Sequence, residues 1–113
     1  MKYLTVIEDN FDVVFFPSAK AAITIRITDA ENRCKGGLNK KGIRCFLTKD
    51  DIPALLAKLE AQDWKCAITG WDMTLQKNHR HVISLDRIDS SKDYTLDNIQ
   101  WTCWGANNKK GRF

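Results

Sequence analysis

A carboxylate closing a β-rich run, an asparagine after a short polar loop and a second asparagine ahead of a basic tail could be the parts of a one-metal phosphodiesterase site. In this 113-residue chain they are Asp86, Asn98 and Asn107. The first two lie within Ser84-Leu85-Asp86-Arg87-Ile88-Asp89-Ser90-Ser91-Lys92-Asp93-Tyr94-Thr95-Leu96-Asp97-Asn98-Ile99-Gln100, and nine residues after Asn98 comes Asn107-Asn108-Lys109-Lys110-Gly111. Displacement at phosphorus needs the developing charge neutralised, a water activated and the leaving oxygen stabilised, and a single Mg²⁺ serves the first and last of these. Mg²⁺ takes oxygen ligands and keeps several waters, so a carboxylate from Asp86 and an amide oxygen from Asn107 would suffice if the strand end and the following helix face one another. Mn²⁺ is an acceptable substitute. Each residue also has a plainer role open to it: a turn-capping Asp, a loop-tying Asn and a surface Asn.

The elements around these residues are legible in outline. His81 to Ile88 alternates as a strand, with His81, Ile83, Leu85 and Arg87 on one face and Val82, Ser84 and Asp86 on the other. Asp89 to Asp93 is a turn, Tyr94 to about Gln100 contains a second strand, and Thr102 to Lys110 is a closing helix. Upstream, residues 3–16 are rich in β-branched and aromatic types and suit one or two short strands. Pro17-Ser18 stops the strand and caps a helix in which Ile23, Ile27, Ala30 and Cys34 recur at helical spacing, although Ile23, Ile25 and Ile27 also alternate. Cys34 to Lys41, with two adjacent glycines and three lysines, is an exposed loop. Thr48, Asp50, Asp51 and Pro53 mark the start of another helix, which runs to about Gln62 with Ile52, Leu55, Leu56 and Leu59 on its apolar face.

The stretch from Ser84 to Gln100 resembles the HNH or ββα-metal (His-Me finger) endonucleases, especially compact phage and prophage forms with the pattern S-L-D-R-I-D-S-S-K-G-Y-T-x-x-N-I-Q. The resemblance covers about the last 50 residues well and the preceding helix, with its Cys66-Ala67-Ile68-Thr69-Gly70 turn, more loosely. It implies an α+β fold in one domain. Residues 66–113 form the ββα-metal unit, 48–65 a supporting helix, and 1–47 an extension of short strands and one or two helices. It also implies a Mg²⁺-dependent DNA endonuclease or nickase in which Asp86 and Asn107 bind the metal and Asn98 ties the loop between the strands. Arg87, Lys92, Lys109, Lys110 and Arg112 would meet the nucleic-acid backbone, where each phosphate contact adds a salt-dependent term without sequence preference. A larger phage or host complex is a further expected partner. Asp93 stands where the family has Gly, a mild change if the backbone there is left-handed.

One departure concerns the base. Aligning Asp86-Arg87-Ile88 with the family's D-H-I puts Arg87 where the general-base His stands, and arginine takes no proton near neutral pH. Three explanations stay open. Asp86 or a water on the metal deprotonates the nucleophile while Arg87 grips the phosphate in a bidentate contact; His79 or His81 reaches in, although five strand residues place His81 about 16 Å from Asp86; or the site binds nucleic acid without cutting it. The alternatives in function follow: an inactive nucleic-acid-binding module on the same fold, or a phage-encoded inhibitor that uses it as a scaffold.

The totals set the remaining bounds. A chain of this length has one modest core, burying roughly 60–70% of its unfolded surface. With 43% apolar residues, four Trp and two Pro it belongs with globular rather than disordered chains. No apolar run approaches the roughly 20 residues that span a bilayer, and the N-terminus lacks a secretory pattern, so no membrane partner and a cytoplasmic setting are expected. The net charge is +4, and after Gln100 there are three basic residues and no acidic one. Cys34, Cys45, Cys66 and Cys103 form no C-x-x-C pair, and a structural zinc, which would need all four, is not expected. Trp101 and Trp104 are read as packing residues, with base stacking as the alternative.

Overall fold

Pro17 ends an extended segment, and the Ser18 hydroxyl accepts a hydrogen bond from Ala21 N–H (3.1 Å), which starts helix α1 (Ala19–Lys35). The computed structural model describes residues 14–35 and 42–106. In α1, Ala22, Ile23, Ile27 and Ala30 are buried whereas Ile25 is 40% exposed, so the helical period rather than the two-residue alternation governs the isoleucines. Of the expected N-terminal strands only residues 14–16 lie within the described residues. There Phe15 forms an isolated bridge with Gln76.

The second helix begins as its sequence predicts. Thr48 accepts from Asp50 N–H (3.2 Å) while its own N–H donates to the Asp51 carboxylate (2.9 Å), closing a capping box over a 3₁₀ turn at Lys49–Asp51. Helix α2 (Ile52–Ala61) follows and buries Ile52, Leu55 and Leu59. Beyond it the chain reverses through Asp63 and Trp64, both left-handed (φ 53° and 55°). That conformation costs about 1 kcal/mol or more per residue, offset by burying the Trp64 ring, which at 5% exposure is worth about 3 kcal/mol.

Strands β1 (Ile83–Arg87) and β2 (Ile99–Cys103) pair antiparallel, with Asp86 opposite Gln100 and Ser84 opposite Thr102. Strand alternation gives the hairpin an apolar face of Ile83, Leu85, Ile99, Trp101 and Cys103, all in the core. The other face carries Ser84, Asp86, Gln100 and Thr102, of which all but the half-buried Gln100 are also buried. A buried polar face is unusual for a two-stranded sheet, and Asp86 sits in it.

Among the described residues, side chains from both helices meet the two sheet edges. On β2, Gln62 at the end of α2 acts as a one-residue partner: its Oε1 accepts from Trp101 N–H (3.0 Å) and its Nε2 donates to Trp101 O (2.9 Å). On β1, Arg26 Nε donates to Ile83 O (2.8 Å), and Ile83 N–H donates to Thr74 O (3.1 Å). These contacts answer the open backbone groups that a sheet edge presents. They also join both helices to the hairpin.

Three boundaries differ from the sequence-based expectation. β1 starts at Ile83 rather than His81, because Lys77 and Asn78 turn (Asn78 φ 61°) and Val82 N–H closes back on His79 O (3.0 Å). The second strand starts at Ile99 rather than Tyr94, because Tyr94 bridges to Cys45 and Leu96–Asn98 forms a 3₁₀ turn. Helical structure then begins at Trp104 and is described to Ala106, so Thr102 and Cys103 belong to β2. No helix among the described residues is long and apolar enough to cross a membrane.

Candidate functional site

The loop joining the strands is organised by one side chain. Asn98, 9% exposed, accepts from Asp89 N–H at Oδ1 (2.9 Å) and donates through Nδ2 to Asp89 O (3.0 Å) and Asp93 O (2.9 Å). Its own carbonyl accepts from Ile88 N–H (2.8 Å). Only an amide in this orientation offers an acceptor to the N–H and two donors to the carbonyls. Asn98 thus links Asp89 and Asp93 across the loop.

Arg87 is committed to the same loop. Its Nη1 donates to Ser90 O and to Lys92 O (3.1 Å), and its guanidinium lies 5.2 Å from the centre of the Tyr94 ring. Asp89 closes a tight turn by accepting from Ser91 Oγ (2.6 Å) and Ser91 N–H (2.9 Å), which hold its carboxyl below the ordinary range. Asp93 has no left-handed backbone. What it supplies in place of a glycine is a carboxylate that accepts from Arg44 N–H (2.9 Å), tying the loop to the segment before α2. Beside these residues opens a cavity of about 550 Å³ lined by Ser91, Lys92, Asp93, Thr95, Asp97 and Asn98, and Asp86 is not part of its wall.

Asp86 is 6% exposed, and Gln100 Nε2 donates to its Oδ2 across the strands (2.8 Å). A buried carboxylate is costly unless it is paired, hydrogen-bonded or bound to a metal. The oxygen donors on this face, the Asp86 carboxylate above all, fit a hard cation such as Mg²⁺. Asn107, the expected second ligand, lies outside the described residues, as do Lys109, Lys110 and Arg112. Gln100 was not expected at the site. Its signal was its place two residues after Asn98 on a strand antiparallel to the one bearing Asp86.

The histidines and cysteines lie elsewhere. His79 and His81 stand beyond the end of β1 away from the loop: His79 Nδ1 accepts from His81 N–H (3.0 Å), and His81 stacks on Trp71 with ring centres 4.9 Å apart. The four cysteines do not converge, and among the described residues no three His, Cys, Asp or Glu side chains gather as a metal site. Cys66 meets Cys103, whose N–H donates to Cys66 Sγ (3.2 Å). Burial would raise the Cys66 thiol, but hydrogen bonds from Thr69 and Cys103 outweigh it and hold it below the ordinary value. Burial and the Cys66 sulfur push Cys103 up to about 12. Cys34 and Cys45 sit half-buried at another place, both raised chiefly by burial.

The tryptophans divide. Trp101 is fully buried with its Nε1 donating to Leu55 O (2.9 Å), as a packing residue should be. Trp104 is 49% exposed, which departs from the packing role expected for it. Comparison of the chain with protein-family models, with curated proteins and with solved structures gave no match.

Proposed function

We propose that the protein is a metal-dependent DNA endonuclease or nickase whose site is built on the β1–β2 hairpin and the helix that follows it, in the manner of a ββα-metal unit. The observation that carries this reading is Asp86: a buried carboxylate on the polar face of a hairpin whose loop is locked by Asn98. The element order, strand, clamped loop, strand and then a helical turn opening at Trp104, supports it. Asp86 and Asn107 would hold the cation, and Gln100 orients the Asp86 carboxylate through its 2.8 Å hydrogen bond. When bound, Mg²⁺ supplies neutralisation of charge on the scissile phosphate and the leaving oxygen. Lys92, Lys109, Lys110 and Arg112 would neutralise neighbouring phosphates.

A second reading, a nucleic-acid-binding module that does not cut, is favoured by Arg87. It takes no proton near neutral pH and so cannot serve as the base, and its Nη1 is engaged by Ser90 O and Lys92 O. The two readings separate in a nicking assay on supercoiled plasmid with Mg²⁺. Nicking that disappears with EDTA and with Asp86→Ala or Asn107→Ala supports the nuclease. Binding without cutting in Mg²⁺ and in Mn²⁺ supports the module.

A further inference from the structure

Of the four tryptophans, Trp64 and Trp101 are 5% and 0% exposed, whereas Trp71 and Trp104 are 42% and 49% exposed. Trp is highly buried on average, so two half-exposed indoles in one small protein call for a cause. Arg80 connects them. Its carbonyl accepts from Gly105 N–H (2.9 Å), next to Trp104, and its guanidinium lies 6.0 Å from the centre of the Trp71 ring. A Cβ on Gly105 would lie 3.2 Å from Arg80 Cβ, a measure of how closely the two segments pack. Trp71 is also held: His81 stacks on it with planes 10° apart, and the turn below it is closed by Cys66 N–H to Trp71 O (2.8 Å). A ring already fixed loses little freedom on binding.

The charge around these rings is suited to a polyanion. Asp72, the acid beside Trp71, is paired with Lys65 Nζ at 2.7 Å. Arg80 is exposed. Exposed aromatic rings with a cation beside one of them suit unpaired bases, since each base has a π-face to stack and a phosphate to neutralise. In a continuous duplex those faces are already stacked on one another.

We infer that Trp71, Arg80 and Trp104 form a stacking face for unpaired nucleotides, so that the nucleic acid this protein engages contains a single-stranded segment. The inference deepens the nuclease reading by naming its substrate class, and it can be tested without cleavage. In EDTA, the anisotropy of a labelled oligothymidylate is compared with that of an abasic strand of equal length and of a duplex, at one fixed salt concentration. The wild type is expected to bind oligothymidylate about tenfold or more tighter than the abasic strand, with Trp71→Ala and Trp104→Ala each losing about tenfold on oligothymidylate alone. Trp71→Phe and Trp104→Phe should keep most of the affinity. Should an alanine variant fail to fold, oligothymidylate protection of the wild-type tryptophans from iodide quenching reads the same contact.

Equal affinity for based and abasic strands, full affinity in folded alanine variants, or no protection from iodide would overturn the stacking face. So would absence of any nucleic-acid binding, which would leave the two rings to a protein partner. Stacking-dependent binding by a protein that never cuts would instead remove the nuclease reading and keep this one. Metal-dependent cutting of duplex DNA indifferent to both tryptophans would do the reverse.

Discussion

Replacing Asn98 by Ala removes three hydrogen bonds from the loop at once: one to Asp89 N–H and two from Nδ2 to Asp89 O and Asp93 O. A hydrogen bond between neutral groups contributes about 1 kcal/mol net, and a group left buried without a partner costs more. Asp89 is exposed and Asp93 half-buried, so water can reach some of the freed groups. The expected loss is therefore about 2 kcal/mol, roughly a thirtyfold fall in the folding equilibrium. Urea unfolding followed by tryptophan fluorescence measures it, since Trp64 and Trp101 are buried and report the core. Asn98→Asp is the sharper variant. It keeps an acceptor for Asp89 N–H but turns a carboxylate oxygen toward two carbonyls, so it should cost at least as much as Ala at neutral pH and less once the carboxylate is protonated. An Asn98→Ala variant within about 0.5 kcal/mol of wild type, the ordinary range for surface changes, would refute the claim that this side chain organises the loop.

Two further outcomes follow from the same geometry. Ser91 Oγ and Ser91 N–H depress the Asp89 carboxyl in the folded state, so the carboxylate's stabilising contribution is complete above the ordinary value of about 3.8 and is lost as pH falls through the lower folded value. The gap in urea midpoint between wild type and Asp89→Asn should accordingly be present at neutral pH and shrink in acid below that ordinary value; a gap that widens there would contradict the assignment. Gln62→Ala opens the β2 edge by removing both bonds to Trp101 and a third to Lys65 O (2.9 Å), and should destabilise by about 2 kcal/mol in the same unfolding assay.

What could be read from the sequence was what local chemistry decides. Ser18 and Thr48 start their helices because a hydroxyl ahead of a helical period satisfies N–H groups that the helix leaves open. Strand alternation placed Asp86 on the hairpin's polar face, whereas a loop-tying role for Asn98 was legible only through the resemblance of the Ser84 to Gln100 stretch to the ββα-metal pattern. The second strand was misplaced because Tyr94 has strand character but spends it on Cys45, a residue distant in sequence. Arg87 carries no mark of the carbonyls it will meet, since those depend on how the loop closes. The division of Trp101 from Trp104 was likewise not local: Trp101 finds Leu55 O across the core, while the turn at the end of β2 sends Trp104 outward. Gly70 (φ 75°) belongs to the legible class, a left-handed position in a tight turn after Cys66.

The central claim concerns the charge on Asp86. Asp86→Asn keeps the shape and an oxygen to accept from Gln100 Nε2, so the hairpin should remain intact while the anionic ligand is lost. Charge stabilisation by a bound cation is worth several kcal/mol in a phosphoryl transition state. The measurement is the initial rate of plasmid nicking in Mg²⁺ by wild type and by this variant, each checked for folding by its urea midpoint. The expected result is metal-dependent nicking by the wild type, reduced at least about a hundredfold in the variant. Equal nicking rates, or no nicking by the folded wild type, would contradict it.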